Sequence, residues 1–274
     1  MSAEFWNGYF AVVSFLFGAC VGSFLNVCIY RIPREESVVR PRSHCPHCNR
    51  MIAWYDNIPL VSWCALGARC RHCGNRISAR YVLVELLVAV LFLLVWLRYG
   101  FDARTPVYWL MAGGLTLGTF VDFEHMYLPD RVTLGGIVAG LVLSPLVPSL
   151  HGETARGMAL LAAGLGATVG YGLLWLVAFL GEKAFKKEAM GMGDVKLLGA
   201  VGALLGWPAV LFTIFVSSLF GSIVGVAFIV ARRKEWQSRI PFGPYIALAA
   251  VLWFLGGADL WHAYFGWLTG VRVQ

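Results

Sequence analysis

Two Cys-x-x-Cys pairs, CPHC at 45–48 and CRHC at 70–73, stand 21 residues apart in a stretch rich in arginine. Knuckles at that separation can set the four thiolates of Cys45, Cys48, Cys70 and Cys73 tetrahedrally around one Zn²⁺. Four cysteine ligands close the coordination shell, so the metal expected here is structural, with no open position for catalysis. His44, His47 and His72 crowd the knuckles and are expected to be exposed or to sit behind the ligands.

The second set of chemically useful residues is acidic. Asp122, Glu124, His125 and Asp130 lie in DFEHMYLPD, at the end of an apolar run, and Asp194 lies in GMGDVK, ahead of another. Two carboxylates sharing one site cannot both ionise cheaply. One keeps a proton while the other stays anionic, and such a pair can activate water against a peptide carbonyl. The dipole of a helix starting at Asp194 favours its anion, which suggests Asp194 as base and Asp122 as acid, although the pair titrates as a unit. Other readings stand beside this one. Asp130, after Pro129 and ahead of an apolar run, fits a helix N-cap. Asp194 could be a cap as well. Glu85 could pair with Arg80 or reach toward the interface, and Glu124 and His125 suit ordinary interface positions.

The chain that must position these groups has 274 residues, 59% hydrophobic and 14% charged. Soluble domains run near a quarter charged, and too few polar residues remain here to cover a water-facing surface. Apolar runs predict an all-α, polytopic membrane helix bundle of about eight spans, near 9–29, 81–98, 106–121, 132–150, 158–180, 195–207, 209–231 and 243–258. The first is too long for a signal-peptide core and has no basic start. The expected organisation is a first span in 1–30, a zinc-binding loop at 31–80 and a transmembrane bundle over 81–274. A tail from Asp259, with Trp261, Tyr264 and Trp267, suits the headgroup layer or a short interfacial helix. Eighteen lysines and arginines, nine of them in 31–80, fall in alternate loops and four on the other side. That asymmetry puts the cysteine loop in the cytoplasm, where a disulfide is disfavoured, and both acidic motifs at its membrane boundary. The net charge of +7 then reflects topology and anionic lipid rather than nucleic acid. A loop of about 50 residues with few aliphatics needs a metal to hold its shape.

Several motifs, in order, make the sequence similar to the type IV prepilin peptidases: GSFLNVCIYR (22–31), the two cysteine pairs with IPLVSW between them, RYVLVEL (80–86), DFEHMYLPD (122–130), GMGDVKLLG (191–199) and IPFGPY (240–245). The resemblance implies catalytic aspartates at Asp122 and Asp194, zinc on the four cysteines and residence in the bacterial inner membrane. It also implies cleavage of leaders from prepilins or type II secretion pseudopilins, with N-methylation of the new N-terminus from S-adenosylmethionine. On that picture Gly191 and Gly193 leave room for a substrate backbone, and Glu124, Glu182 and Glu188 meet a basic leader. Pro241 and Gly243 would leave backbone groups open to a substrate strand. No residues are assigned to the methyl donor. GLGATVG (164–170) has the wrong spacing for a nucleotide loop and lies within a span, so helix packing is the expected role. A proton-coupled transporter and a non-enzymatic scaffold are the competing readings. The first would need acids at mid-depth and inverted repeats, and the second would tolerate loss of either aspartate.

Overall fold

The computed structural model describes residues 3–186, 190–231 and 241–269. Its regular elements are helices α1 (Ala3–Arg31), α2 (Val61–Ala65), α3 (Ala79–Tyr99), α4 (Arg104–His125), α5 (Asp130–Leu146), α6 (Arg156–Phe185), α7 (Met192–Leu205), α8 (Trp207–Val230), α9 (Gly243–Leu252) and α10 (Ala258–Thr269). Among the described residues there are no strands, only two isolated β-bridges inside the cysteine loop. The contacts divide the chain into two compact units, Met1–Leu117 and Gly118–Gln274, with the divide falling within α4.

Among the described residues, five helical segments are long and apolar enough to cross a bilayer: Glu4–Arg34, Ala79–Tyr99, Arg156–Ala184, Trp207–Phe228 and Gly243–Leu268. The protein is thus an all-helical, multi-pass membrane protein. Three of the eight expected spans form helices without meeting that test. α5 and α7, with 17 and 14 residues, reach only about 26 Å and 21 Å along their axes. α4 is long enough, but glycine, threonine and its terminal charges dilute its apolar run. The segment expected as an interfacial tail continues as helix α10, joined to α9 through a π-turn at Trp253–Gly257.

In the first unit α1 lies along α3. A Cβ on Gly22 would come within 2.7 Å of the Glu85 Cα, so the two backbones are nearly in contact. Asn26 secures the pair by donating from Nδ2 to the Tyr81 carbonyl at 2.9 Å. Glu85 neither snorkels nor stands exposed. It is buried, and its Oε2 accepts the Leu60 backbone N–H at 2.7 Å, so α3 grips the IPLVSW turn of the cysteine loop. Leu60 has φ +64°, a conformation uncommon for a non-glycine residue, and this bond helps hold it there.

In the second unit α7 is the central element. Nearly every residue from Val195 to Leu205 is buried, packed between α5 and α6. Small residues make this possible: Gly166 of α6 faces Gly202 of α7 so closely that a Cβ on either would overlap the other's backbone. GLGATVG is therefore a helix-packing surface, as expected, and its backbone is closed to a nucleotide.

Candidate functional site

The second unit sets its two key carboxylates at helix ends. Asp122 lies in the last turn of α4 and Asp194 in the first turn of α7. Asp194 is at N3, with Gly191 as the N-cap residue, so the capping role open to it in the sequence does not hold. Its place in the first turn still puts its charge at the positive end of the α7 dipole. Asp122, by contrast, sits at the negative end of α4. What compensates is α9, whose first residue, Gly243, turns its backbone N–H toward the Asp122 carboxylate. Each aspartate thus faces the N-terminus of a helix, and the two are close enough for their charges to interact.

Asp122 is 6% exposed, and its Oδ2 is buried with no hydrogen-bond partner, an arrangement that costs free energy in a finished fold. Asp194 is half-buried. Between their loops stands Leu128, which the sequence reading did not single out. It is buried in the α4–α5 connection, and its side chain packs at the Cα positions of both Gly193 and Gly243. The signal was faint: an aliphatic side chain just ahead of Pro129, in a four-residue connection between two acidic helix ends. Leu128→Ala is expected to cost about 2–5 kcal/mol of stability through the cavity it leaves, read as a lower thermal midpoint in detergent. Gly243→Ala acts oppositely. A Cβ there would sit 2.8 Å from the Asp122 Oδ2 and 3.2 Å from Leu128, so it is expected to displace the carboxylate and cut turnover far more than stability.

The remaining expected residues divide. Gly191 is exposed beside Asp194, with its Cα substituent position 3.6 Å from Oδ2, and Gly193 backs onto Leu128. Pro241 is half-buried just ahead of α9. Gly243, expected to offer its backbone to a substrate strand, starts a helix and presents its N–H to Asp122 instead. Glu124 is exposed two residues on from Asp122, a spacing that points the two side chains apart. Glu182 is exposed at the end of α6, and Glu188 lies outside the described residues. Asp130 is not an N-cap: Pro129 occupies that position, and Asp130, at N1, pairs with Lys196 at 2.7 Å. This ion pair ties the first turn of α5 to the start of α7.

In the first unit the four cysteines converge. The Sγ atoms of Cys45, Cys48, Cys70 and Cys73 all lie within 4.8 Å of one another, with Cys45 and Cys73 at 3.9 Å. Sulfurs about 2.3 Å from a tetrahedral zinc are separated by roughly 3.8 Å, so the donor set and spacing fit that ion. Each knuckle is a small hairpin. The Cys45 N–H donates to the Arg50 carbonyl and the Asn49 N–H to Cys45; Cys70 with Asn75, and Gly74 with Cys70, repeat the pattern. Asn49 and Gly74 supply the left-handed residue in each, at φ +53° and +70°. Backbone N–H groups of Cys73 and His72 draw the Cys70 thiol down to about 6. Cys73 goes the other way, to about 11, because desolvation and its hydrogen bonds with the other thiols outweigh the Asn75 N–H. The histidines stay out of the cluster, as expected: His44 faces the Arg42 carbonyl and His72 the Arg50 guanidinium.

A membrane-embedded helical bundle with paired acids and a cysteine knuckle defines a narrow class, and comparison with known proteins agrees. Residues 16–99 match the bacterial peptidase A24 N-terminal domain and residues 109–226 the type IV leader peptidase family. The chain is 40% identical over 280 residues to a prepilin leader peptidase/N-methyltransferase of Aeromonas hydrophila, covering 93% of each. A protein of the same description from Pseudomonas aeruginosa is 36% identical, again over 93% of each chain. One from Myxococcus xanthus is 42% identical over 84% of this chain and 66% of its own. No solved structure matches. This chain belongs to the type IV leader peptidase family.

Proposed function

We propose that this protein cuts the leader from type IV prepilins or type II secretion pseudopilins at the cytoplasmic boundary of the bacterial inner membrane, with Asp122 and Asp194 as its catalytic pair. On this reading α4, α5 and α7 also cross the bilayer, making eight passes: residues 1–30 form the first, 31–80 the cytoplasmic loop and 81–274 the peptidase bundle. The observation that carries the proposal is the buried, unpartnered Oδ2 of Asp122, beside Asp194 and backed by Leu128. An oxygen in that state suits a donor from outside the chain, such as water or a protonated tetrahedral intermediate.

The anionic aspartate removes a proton from water as the water oxygen attacks the scissile carbonyl carbon, while the protonated aspartate gives its proton to the carbonyl oxygen. Collapse of the diol breaks the C–N bond: a diol hydroxyl returns its proton to the aspartate that gave one as the carbonyl re-forms, and the proton taken from water passes to the leaving amine. The acid and base are then restored for the next substrate. The dipole of α7 favours Asp194 as the base, and the Gly243 N–H stabilises the Asp122 carboxylate once it has given its proton to the carbonyl oxygen.

Cys45, Cys48, Cys70 and Cys73 would hold zinc, which supplies only the cross-link between the two knuckles. The protein also N-methylates the new N-terminus, and S-adenosylmethionine, when bound, supplies the methyl group. The glycine-rich stretch of α6, closed by its packing on α7, does not fit that cofactor. Substitution of either aspartate by asparagine, assayed on a prepilin in membranes, tests the pair; full cleavage by either variant would overturn it.

A further inference from the structure

The two cysteine knuckles share one hairpin geometry, offset by 25 positions, but the facing pair ahead of the turn differs in charge. In the first, the residues directly opposite each other ahead of the turn are His44 and Met51; in the second they are Arg69 and Arg76. Hydrogen bonds flank rather than join this second pair, running from the Ile77 N–H to the Ala68 carbonyl and from the Cys70 N–H to the Asn75 carbonyl. That makes it a non-hydrogen-bonded pair, the kind in which facing side chains approach most closely, and like charges so placed repel. The first knuckle does without them, so the hairpin itself does not require two arginines there. The nearby acid is already committed: Asp56 holds Arg71 with two hydrogen bonds of 2.6 Å and 2.8 Å.

Arg69 and Arg76 instead line an open cavity of about 520 Å³, with Trp63, Ile77, Ser78 and Ala79. The Trp63 indole N–H is spent on the Ile77 carbonyl, leaving its ring as an apolar wall. Ser78 is the N-cap of α3, so the positive end of a 21-residue helix opens on the same cavity. Two cross-strand guanidiniums, a helix N-terminus and no carboxylate in the lining make a site for a compact anion.

We propose that this cavity binds a phosphate group, gripped by Arg69 and Arg76 at the start of α3. Bidentate guanidinium–phosphate bonds would offset the repulsion that the pair otherwise carries. Since α3 passes straight from Ala79 into its apolar run, the phosphate can come from an anionic phospholipid headgroup at that depth or from a soluble phosphate-bearing ligand.

The test uses the zinc-loaded full chain in neutral detergent. Native mass spectrometry counts retained phosphatidylglycerol against phosphatidylcholine, and a parallel titration follows binding of inorganic phosphate. Three proteins are compared: wild type, Arg69→Gln/Arg76→Gln, and the charge-matched control Arg40→Gln/Arg42→Gln. The expected result is about a tenfold or greater loss of anion binding in the first variant alone, with zinc still bound. Loss confined to phosphatidylglycerol identifies a lipid headgroup, and loss confined to inorganic phosphate identifies a soluble ligand. Binding of neither anion by the wild type, or equal loss in the control, overturns the proposal. Should the double variant lose zinc, Arg76→Gln alone, which keeps Arg69 beside Cys70, must show the anion loss with zinc retained. Because none of these readouts involves cleavage, failure here leaves the peptidase assignment untouched.

Discussion

Asp122→Asn and Asp194→Asn are each expected to reduce prepilin cleavage by about 10³-fold or more while leaving the protein as stable as before. The first half follows from chemistry. Asparagine can neither take a proton from water nor give one to the carbonyl oxygen, and positioned proton transfer contributes roughly 10²–10⁴-fold for each partner. The two losses should not add: once one aspartate is gone the other has no partner to work with, so the double variant is expected to match the worse single one. The second half follows from burial. Asparagine has the shape of aspartate, can still accept the Gly243 N–H at position 122, and leaves one ionisable group where two neighbouring ones stood. At position 194 it forfeits a helix-dipole interaction of about 0.3–1 kcal/mol, a small loss once the remaining carboxyl no longer shares its site with a second ionisable group. A purely structural aspartate would give the reverse, a lower thermal midpoint with proportionate loss of turnover. Thermal unfolding in detergent and cleavage of a prepilin in membranes, measured on the same preparations, separate the cases.

How much of this was legible beforehand depended on range. The cysteine spacing carried the metal site because 21 residues between knuckles leave few ways to arrange four thiolates. Asp122 and Asp194 could be paired on paper because the charge asymmetry of the loops put both at one boundary. The details that make the pocket were not readable, since they come from contacts between helices. Leu128 gains its role only when α7 and α9 bring Gly193 and Gly243 against it. Gly243 looked like a source of open backbone until α9 turned its N–H inward to Asp122. Asp130 looked like a cap because local sequence cannot show Lys196, 66 positions away, arriving from α7. The span count rests on the same long-range packing: α7, 14 residues long and buried between its neighbours, reads as apolar membrane from composition yet does not by itself meet the length of a full crossing.

Replacing one cysteine from each knuckle, Cys45→Ser with Cys70→Ser, is expected to abolish metal retention and melt both hairpins while the helices stand. Apart from the metal, the knuckles are held by six backbone hydrogen bonds, three in each hairpin around its isolated β-bridge, with Cys45 the one buried cysteine of the four. A folded zinc knuckle draws an apparent 10–16 kcal/mol from its metal, on the order of a whole domain's stability, and nothing of that size replaces it here. The loss should be local. The Leu60 amide is bonded to the Glu85 carboxylate of α3, and Ser62 Oγ accepts the Ile58 N–H while donating to the Tyr55 carbonyl, so the IPLVSW turn is tied without help from the cluster. Amide exchange is therefore expected to rise sharply at Cys45, Asn49, Cys70 and Gly74 and to stay slow at Leu60. Metal content, measured by elemental mass spectrometry, should fall from one zinc per chain to none. Unchanged zinc would remove the site from the loop altogether, and equal loss of protection at Leu60 would show that Glu85 follows the metal instead of anchoring the turn. Cleavage and N-methylation measured on the same variant then separate two uses of the loop. The aspartate pair lies entirely in the second unit, so cleavage should survive better than any activity that depends on the knuckles.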